Sequence, residues 1–352
     1  MPQPSKLKLI IHATNIHQGG GKVLLSSLLK VLPRSSPVLL LVDRRMSLDD
    51  LDARVEVRRI EPNLPARFAA EKQLMQEAMP GDRVLCFGNL PPLFRLAAHV
   101  TLFIQNRLLI EGASLSSYSP LVRIRLLFER QWLARRLGHC NEVIVQTTTM
   151  ARLFAQRFPA APAPRILSFM HESGVLTSPT VALEESRVPV TDFLYIASGE
   201  PHKNHLVLLE AWRLLANGGV RPSLMLTFDS QRYASLASTI NQAVAAFDLK
   251  IDNIGAIGHK SAIALYRQAR ALIYPSVVES FGVPLLEAHQ AGLDVLAPER
   301  DYVRDLLDPV ESFDPDSPVS IARAVRRYLG QTEPRYSPVT AADFLHAVLA
   351  QS

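Results

Sequence analysis

Two glutamates, Glu279 and Glu287, stand with seven residues between them, and Phe281, Gly282, Val283 and Pro284 lie in that interval. A glycine lets an anion come close to the backbone, and Pro284 suits the first position of a helix, where a missing N–H costs nothing. Free amides and the positive end of the helix dipole then face whatever binds. Carboxylates beside an anion site repel it unless they accept hydrogen bonds from hydroxyls, which sugar and ribose rings supply. Lys203, in SGEPHKN, precedes a second helix start, where a cation opposes the dipole and a bound anion would explain it. The alternative is an ordinary pair of helix starts with solvated Glu and Lys. A hydrolytic acid/base pair is a further alternative, but two carboxylates eight apart on one loop and helix do not easily flank a bond from opposite sides.

The elements around these residues are of one kind. Residues 271–274 read as an apolar strand, 275–283 as a polar loop, 284–290 as a helix ended by Gly292, and 295–297 as a second strand. Strand, loop, helix, strand is the parallel-sheet unit, whose ligands bind beyond the strand's carboxyl end. Upstream, 192–198 is a strand followed by a helix over 206–217, with Asn204 as its expected N-cap. His202 and His205 flank Lys203 and, as loop histidines, read as solvated. Further strands are expected at 224–228 and 251–257, with Gly258, His259 and Lys260 in the loop after the latter, then short segments at 304–307 and 312–314 and a helix over 318–329.

In the first half, strands are expected at 6–13, 37–43, 82–87, 100–105, 142–145 and 165–169, separated by helical stretches. The loop over 14–21 ends in Gly19, Gly20 and Gly21, ahead of a helix over 22–32. Asp43 lies about twenty residues beyond these glycines, as in dinucleotide folds, but they sit six residues past the strand and do not form G-x-G-x-x-G. A P-loop fails as well, because Lys22 is followed by Val23 rather than Ser or Thr. A glycine loop facing a cleft remains. Residues 117–137 form a candidate helix carrying Arg123, Arg125, Arg130, Arg135 and Arg136, either a solvated basic face or one that lies on an anionic membrane. Residues 171–190 lose periodicity and collect Ser, Thr, Pro and Glu, which marks a domain boundary.

At 352 residues the chain fits two domains of about 170 each. No apolar run approaches the roughly 20 residues that span a bilayer, so a protein neither secreted nor membrane-spanning is expected. Cys86 and Cys140 read as buried free thiols, which fits a reducing cytoplasm. Residues 1–175 hold 23 Lys+Arg against 13 Asp+Glu, a balance of +10, while 176–352 hold 15 against 20, a balance of −5. The basic half suggests an anionic partner such as a membrane surface or a phosphorylated lipid; the other reading is an Arg-rich composition. Nothing points to nucleic acid.

ESFGVPLLE is similar to the E-x7-E motif of retaining GT-B glycosyltransferases of family 4, the glycosyl transferases group 1, and SGEPHKN resembles that family's phosphate loop. The resemblance covers essentially the whole chain and is strongest over 192–330. It implies an α/β fold with two doubly wound Rossmann-like domains facing a cleft: an acceptor-binding domain at 1–175, a linker at 176–190, a nucleotide-sugar domain at 191–335, and a helix at 336–352 packing back toward the first domain. It further implies Glu279 on the donor sugar and Glu287 on the ribose, with Ser280, Phe281, Gly282 and Val283 supplying amides to the diphosphate. Lys203 would contact the same diphosphate, with Ser198, Gly199 and Asn204 beside it and Gly258 in the base-binding segment. Lys203 and Glu279 would carry catalysis.

On the acceptor side the resemblance implies Gly19, Gly20 and Gly21, together with Gln105 and Asn106 where many relatives have a His-Asp pair. Neither Gln105 nor Asn106 can act as a base, so only hydrogen bonding is expected of them. Many relatives also place an Arg where this chain has Ser198, a departure shared with a bacterial polysaccharide mannosyl- or rhamnosyl-type branch. The implied reaction moves a sugar from a nucleotide-diphosphate sugar, GDP- or UDP-linked with a lean to GDP, to a polysaccharide or lipid-linked acceptor at the cytoplasmic face of the inner membrane. No metal or other cofactor is expected. A sugar-nucleotide epimerase of similar shape and a non-catalytic sugar-nucleotide-binding partner are the rivals.

Overall fold

The computed structural model describes residues 7–32, 36–48, 51, 53–112, 115–116, 118–169 and 189–331. The expected linker lies outside these residues except for 189 and 190, and the expected terminal helix lies outside them entirely. The chain runs β1 (Leu9–Ala13), α1 (Gly19–Lys30), β2 (Val38–Asp43), β3 (Val55–Ile60), α2 (Leu64–Glu77), β4 (Arg83–Cys86), β5 (His99–Ile104), α3 (Pro120–Arg136), β6 (Glu142–Val145), α4 (Thr148–Arg157) and β7 (Arg165–Ile166). It continues through β8 (Thr191–Tyr195), α5 (His205–Asn217), β9 (Leu224–Leu226), α6 (Ala234–Phe247), β10 (Ile251–Asn253), α7 (His259–Tyr266), β11 (Ala269–Ile273), α8 (Val283–Gln290), β12 (Asp294–Pro298), α9 (Asp301–Arg304), β13 (Glu311–Phe313) and α10 (Pro318–Tyr328).

Two parallel sheets result, in the orders β3-β2-β1-β4-β5-β6-β7 and β10-β9-β8-β11-β12-β13. Burial explains why these segments pair. Every residue of β2 is buried, as in a strand covered on both faces, and its Leu40 sits beside Ile11 of β1 in register. In the second sheet Phe193 and Leu194 of β8 lie beside Ala271 and Leu272 of β11, all fully buried. Helix starts are fixed by side chains where the sequence offers them: Ala66 N donates to Asn63 Oδ1 at 2.9 Å, and Met150 N to Thr147 Oγ1 at 3.2 Å. In each sheet the strand order reverses once, between β1 and β4 and between β8 and β11. Loops leaving the carboxyl ends of those strands flank a crevice that can hold a ligand.

Loops from the two sheets meet. Arg107 N donates to Ser280 Oγ at 2.7 Å, Tyr118 OH lies 3.0 Å from His202 Nδ1, and Thr149 N donates to Asp305 Oδ2 at 2.9 Å. Arg232 donates to Gln18 Oε1 at 2.7 Å, and Arg152 pairs with Asp301.

Several boundaries differ from the sequence expectation. Gly19, Gly20 and Gly21 are the first turn of α1 rather than the end of a loop, because Gln18 in extended conformation already starts the helix. Val283, not Pro284, is the first residue of α8. His259 and Lys260 begin α7 instead of lying in a loop, with Gly258 at its N-cap. Strand β3 and helices α2 and α6 were not read from the sequence. VEVRRI hides its strand character behind charge, since Arg58 pairs with Glu56 and Glu77 and Arg59 donates to Met46 O at 2.8 Å. Both cysteines are free, with Cys86 buried and Cys140 half-buried.

Candidate active site

The loop after β11 turns back across the loop after β8. Val277 N donates to His202 O at 2.9 Å and Ser276 Oγ lies 3.1 Å from the same carbonyl, while Tyr302 OH donates to Ser276 O at 2.6 Å. These bonds set Glu279 against Lys203. Three donors converge on Glu279 Oε1: Lys203 Nζ at 2.5 Å, Ser276 Oγ at 2.6 Å and Tyr274 OH at 2.8 Å. The Lys203 and Glu279 side chains are only 14% and 12% exposed. Burial pushes the Glu279 carboxyl up, but the Lys203 charge, His202 and the bonds from Lys203 and Ser276 outweigh it and hold the group below the usual carboxylate range. It is therefore a carboxylate at neutral pH.

Lys203 closes a short 3-10 turn (Pro201–Lys203) rather than standing free ahead of a helix, and its carbonyl accepts from Tyr195 OH at 2.6 Å. Asn204 follows in the left-handed region at φ 64°. It occupies the N-cap of α5 without capping it by its side chain, which corrects the expectation. Its Nδ2 instead donates to Pro275 O at 3.2 Å and Pro315 O at 2.7 Å, tying the two loops together.

Glu287 lies one turn into α8 and is 8% exposed. His259 Nε2 is 2.7 Å from its Oε1, and Tyr266 OH donates to its Oε2 at 3.0 Å. Each carboxylate oxygen keeps a second lone pair for a ligand hydroxyl. Gly282, at φ +71°, turns the loop into α8 and, as its N-cap residue, offers no side chain to cap that helix. A Cβ at Gly282 would stand 3.0 Å from Leu285 Cδ1. Phe281 is buried and Ser280 is engaged by Arg107 across the cleft. Ser198 and Gly199 follow β8. A Cβ on Gly199 would meet the Tyr233 ring at 2.5 Å, so the ring lies directly on this backbone.

Across the cleft, the ends of β1, β4 and β5 are bound together. Asn15 Nδ2 donates to Gly88 O at 2.6 Å, while Asn89 Oδ1 accepts from Gln105 N at 2.5 Å and Asn106 N at 2.8 Å. Gln105 Nε2 donates to Phe87 O at 2.8 Å, and its buried Oε1 has no hydrogen-bond partner among the described residues and lies toward Gly21. Asn106 Oδ1 accepts from Leu108 N at 3.0 Å. Each of these two side-chain amides makes one hydrogen bond to local backbone.

His202 is half-buried with its Nδ1 3.0 Å from Tyr118 OH, and His205 is buried rather than solvated. His205 is 5% exposed between the rings of Tyr195 and Phe228, and neither ring nitrogen has a hydrogen-bond partner among the described residues. Burial, with the charges of Lys203 and His202 adding to it, lowers this imidazole from 6.5 to about 3. The folded value being the lower one, the unfolded chain takes up the proton first. The stability tied to His205 is intact above pH 6.5 and is lost as pH falls toward about 3, at roughly 1.4 kcal/mol per pH unit. Urea unfolding across this range should show His205→Phe with a visibly flatter acid decline than the unsubstituted protein.

Sequence reading missed Tyr274, Ser276, His259 and Tyr266. His259 and Tyr266 stand seven apart, two helical turns, and so share one face of α7. That spacing was a usable signal.

Comparison with known proteins follows the same division. Residues 185–342 match the family model described as Glycosyl transferases group 1. A stretch of 159 residues is 26% identical to the serotype-specific mannosyltransferase WbdA of Escherichia coli, covering 45% of this chain and 19% of that protein, so the chain aligns with about a fifth of that relative. Among solved structures, HepE of Anabaena in complex with UDP-glucose superposes with a TM-score of 0.65 at 13% identity, over 92% of this chain and 90% of that one. WaaG, a glycosyltransferase involved in lipopolysaccharide biosynthesis, gives 0.66 at 16% identity over 92% and 91%. These likenesses show the GT-B fold across both sheets.

Proposed function

We propose that this chain, whose second half carries a group 1 glycosyltransferase domain on a GT-B frame, is a retaining glycosyltransferase that uses a nucleotide-diphosphate sugar without a metal ion. The observation that carries the reading is the buried Lys203–Glu279 pair beside the uncapped start of α8, both at the crevice between β8 and β11. One of the three Lys203 protons goes to Glu279 and two remain for phosphate oxygens. With the amides around Gly282, they would offset the charge that builds on the leaving diphosphate, the part a divalent cation plays elsewhere. Glu279 would accept from the donor sugar and Glu287 from the ribose, with Ser198, Gly199 and Asn204 lining the phosphate loop and Gly258 near the base.

Gln105 and Asn106 offer no base, so the acceptor's proton would pass to a donor phosphate oxygen on the face the diphosphate leaves. Gly19, Gly20 and Gly21 would face the acceptor. The likeness to a mannosyltransferase supports a GDP-linked donor, and HepE's complex a UDP-linked one. The acceptor would be a bacterial surface polysaccharide or lipid-linked glycan at the cytoplasmic face of the inner membrane. Leu121, Ile124, Leu127 and Phe128 of α3 are exposed beside Arg123 and Arg125, a surface suited to anionic lipid. Ile124→Glu should release the protein from vesicles containing anionic phospholipid; unchanged retention would contradict membrane docking.

Slow donor hydrolysis, with water as acceptor, tests the reaction without the natural acceptor. Incubated with GDP-mannose or UDP-glucose in EDTA, the protein should release nucleoside diphosphate, and proton NMR at early times should show the sugar in the donor's own anomeric form. An inverted anomer, or release only with divalent metal, would overturn the mechanism. Binding without turnover of any donor would favour the non-catalytic partner.

A further inference from the structure

A second group of cations gathers on Asp43 and on the adjacent residues His17 and Gln18. Asp43, the last residue of β2, is fully buried and accepts from Arg45 at 2.9 Å and 2.8 Å and from Arg67 at 3.5 Å. Arg45 Nη2 also lies 3.4 Å from His17 Nδ1. From the second domain, Arg232 reaches over to Gln18, and the carboxylate paired with it is Glu200 at 3.9 Å. His17 and Gln18 are adjacent, so their contacts bring Arg45 and Arg232 to one loop, and Arg67 joins Arg45 on Asp43. Burial and these charges hold His17 below its ordinary range against the opposing pull of Asp43.

Three guanidiniums stand against two carboxylates, Arg45 and Arg67 on Asp43 and Arg232 beside Glu200, which leaves one positive charge in excess. Arg67 Nε is buried with no acceptor among the described residues, so part of one fork is already desolvated and unused. The first turn of α1 begins beside Gln18 with no side-chain cap, and a Cβ on Gly19 or Gly20 would meet nothing within 4 Å, so the space beside it is open. Glu129 of α3 also feels Arg67, but burial raises its carboxyl toward the neutral form and weakens it as a counter-ion.

We propose that Arg45, Arg67 and Arg232 bind a phosphoryl group carried by the acceptor. The inference rests on the glycosyltransferase reading and names its acceptor class as phosphorylated. Asp43 and Glu200 already supply single carboxylate charges; a phosphoryl group brings up to two charges and three oxygens, enough for each of three planar forks to reach one oxygen. The donor's diphosphate is a poor occupant, because the cluster sits one strand away from the crevice in each sheet: at the end of β2 rather than β1 or β4, and after β9 rather than β8 or β11. Arg232 comes from the opposite domain, so the site draws on both domains.

Calorimetric titration tests this without turnover. Geranyl diphosphate and glucose 6-phosphate serve as probes of a lipid-linked and a soluble phosphoryl group, and geraniol as the uncharged control, each added to protein saturated with the nucleotide it binds, or to free protein if it binds none. One of the two phosphorylated probes should bind, at least tenfold more weakly to R45Q and R67Q and also more weakly to R232Q, while nucleotide affinity stays within twofold. Whichever probe binds identifies the source. The proposal is overturned if neither probe binds, if geraniol binds as tightly, if the variants bind as the unsubstituted protein does, or if nucleotide displaces the probe. Because the readout is binding, a protein that transfers no sugar but binds the probe loses the functional reading alone.

Discussion

Replacing Lys203 with alanine is expected to lower turnover of the donor by at least about a thousandfold and to destabilise the fold by about 3 to 5 kcal/mol. The two losses have one origin. Glu279 is held ionised against burial chiefly by the Lys203 charge. Without that charge, only the neutral donors Ser276 and Tyr274 face Oε1, and the desolvation that pushes the carboxyl up is no longer countered. The double substitution Lys203→Met with Glu279→Gln separates the effects. Two neutral side chains of similar volume remove the uncompensated charge, so urea unfolding should recover most of the lost stability while turnover stays absent. Lys203→Ala retaining turnover within tenfold would remove the lysine from the site.

Gly282→Ala should cost about 1 to 2 kcal/mol of stability, the ordinary penalty for placing an L side chain at a left-handed φ. The added Cβ, 3.0 Å from Leu285 Cδ1, also presses on a side chain that is itself fully buried. The same methyl group crowds the backbone where the diphosphate would approach. Nucleoside diphosphate should therefore bind at least tenfold more weakly, while the corresponding nucleoside, which has no phosphate, should bind as before. Thermal unfolding and paired calorimetric titrations check the two parts, and equal weakening of nucleoside and diphosphate would place the phosphate elsewhere.

The candidate donor side was partly readable in the sequence because Glu279, Gly282 and Pro284 lie within six consecutive positions at the start of α8. Tyr274 and Ser276, just upstream, were missed although they fall in the same short stretch. Lys203 was legible from its own loop, but its partner was not, since 76 residues separate it from Glu279. The same limit hid the contact of Arg107 with Ser280, 173 residues apart, and the cluster of Arg45, Arg67 and Arg232. Local pattern carries no information on which charges a fold brings together. Where the sequence misled, competing local chemistry was responsible. Three glycines read as a loop because glycine is a poor helix former, yet α1 tolerates them in its first turn. Asn204 read as a cap, but two carbonyls across the loop claim its amide.

Titration of UDP, GDP and ADP in EDTA into the unsubstituted protein and into Glu287→Ala tests the central claim, a metal-independent nucleotide site at the start of α8, most directly. One nucleotide should bind with micromolar affinity, and the substitution should weaken it by about 1 to 3 kcal/mol, as expected when a hydrogen bond to a charged group is lost. No binding of any of the three, or binding that appears only when a divalent cation is added, would contradict it.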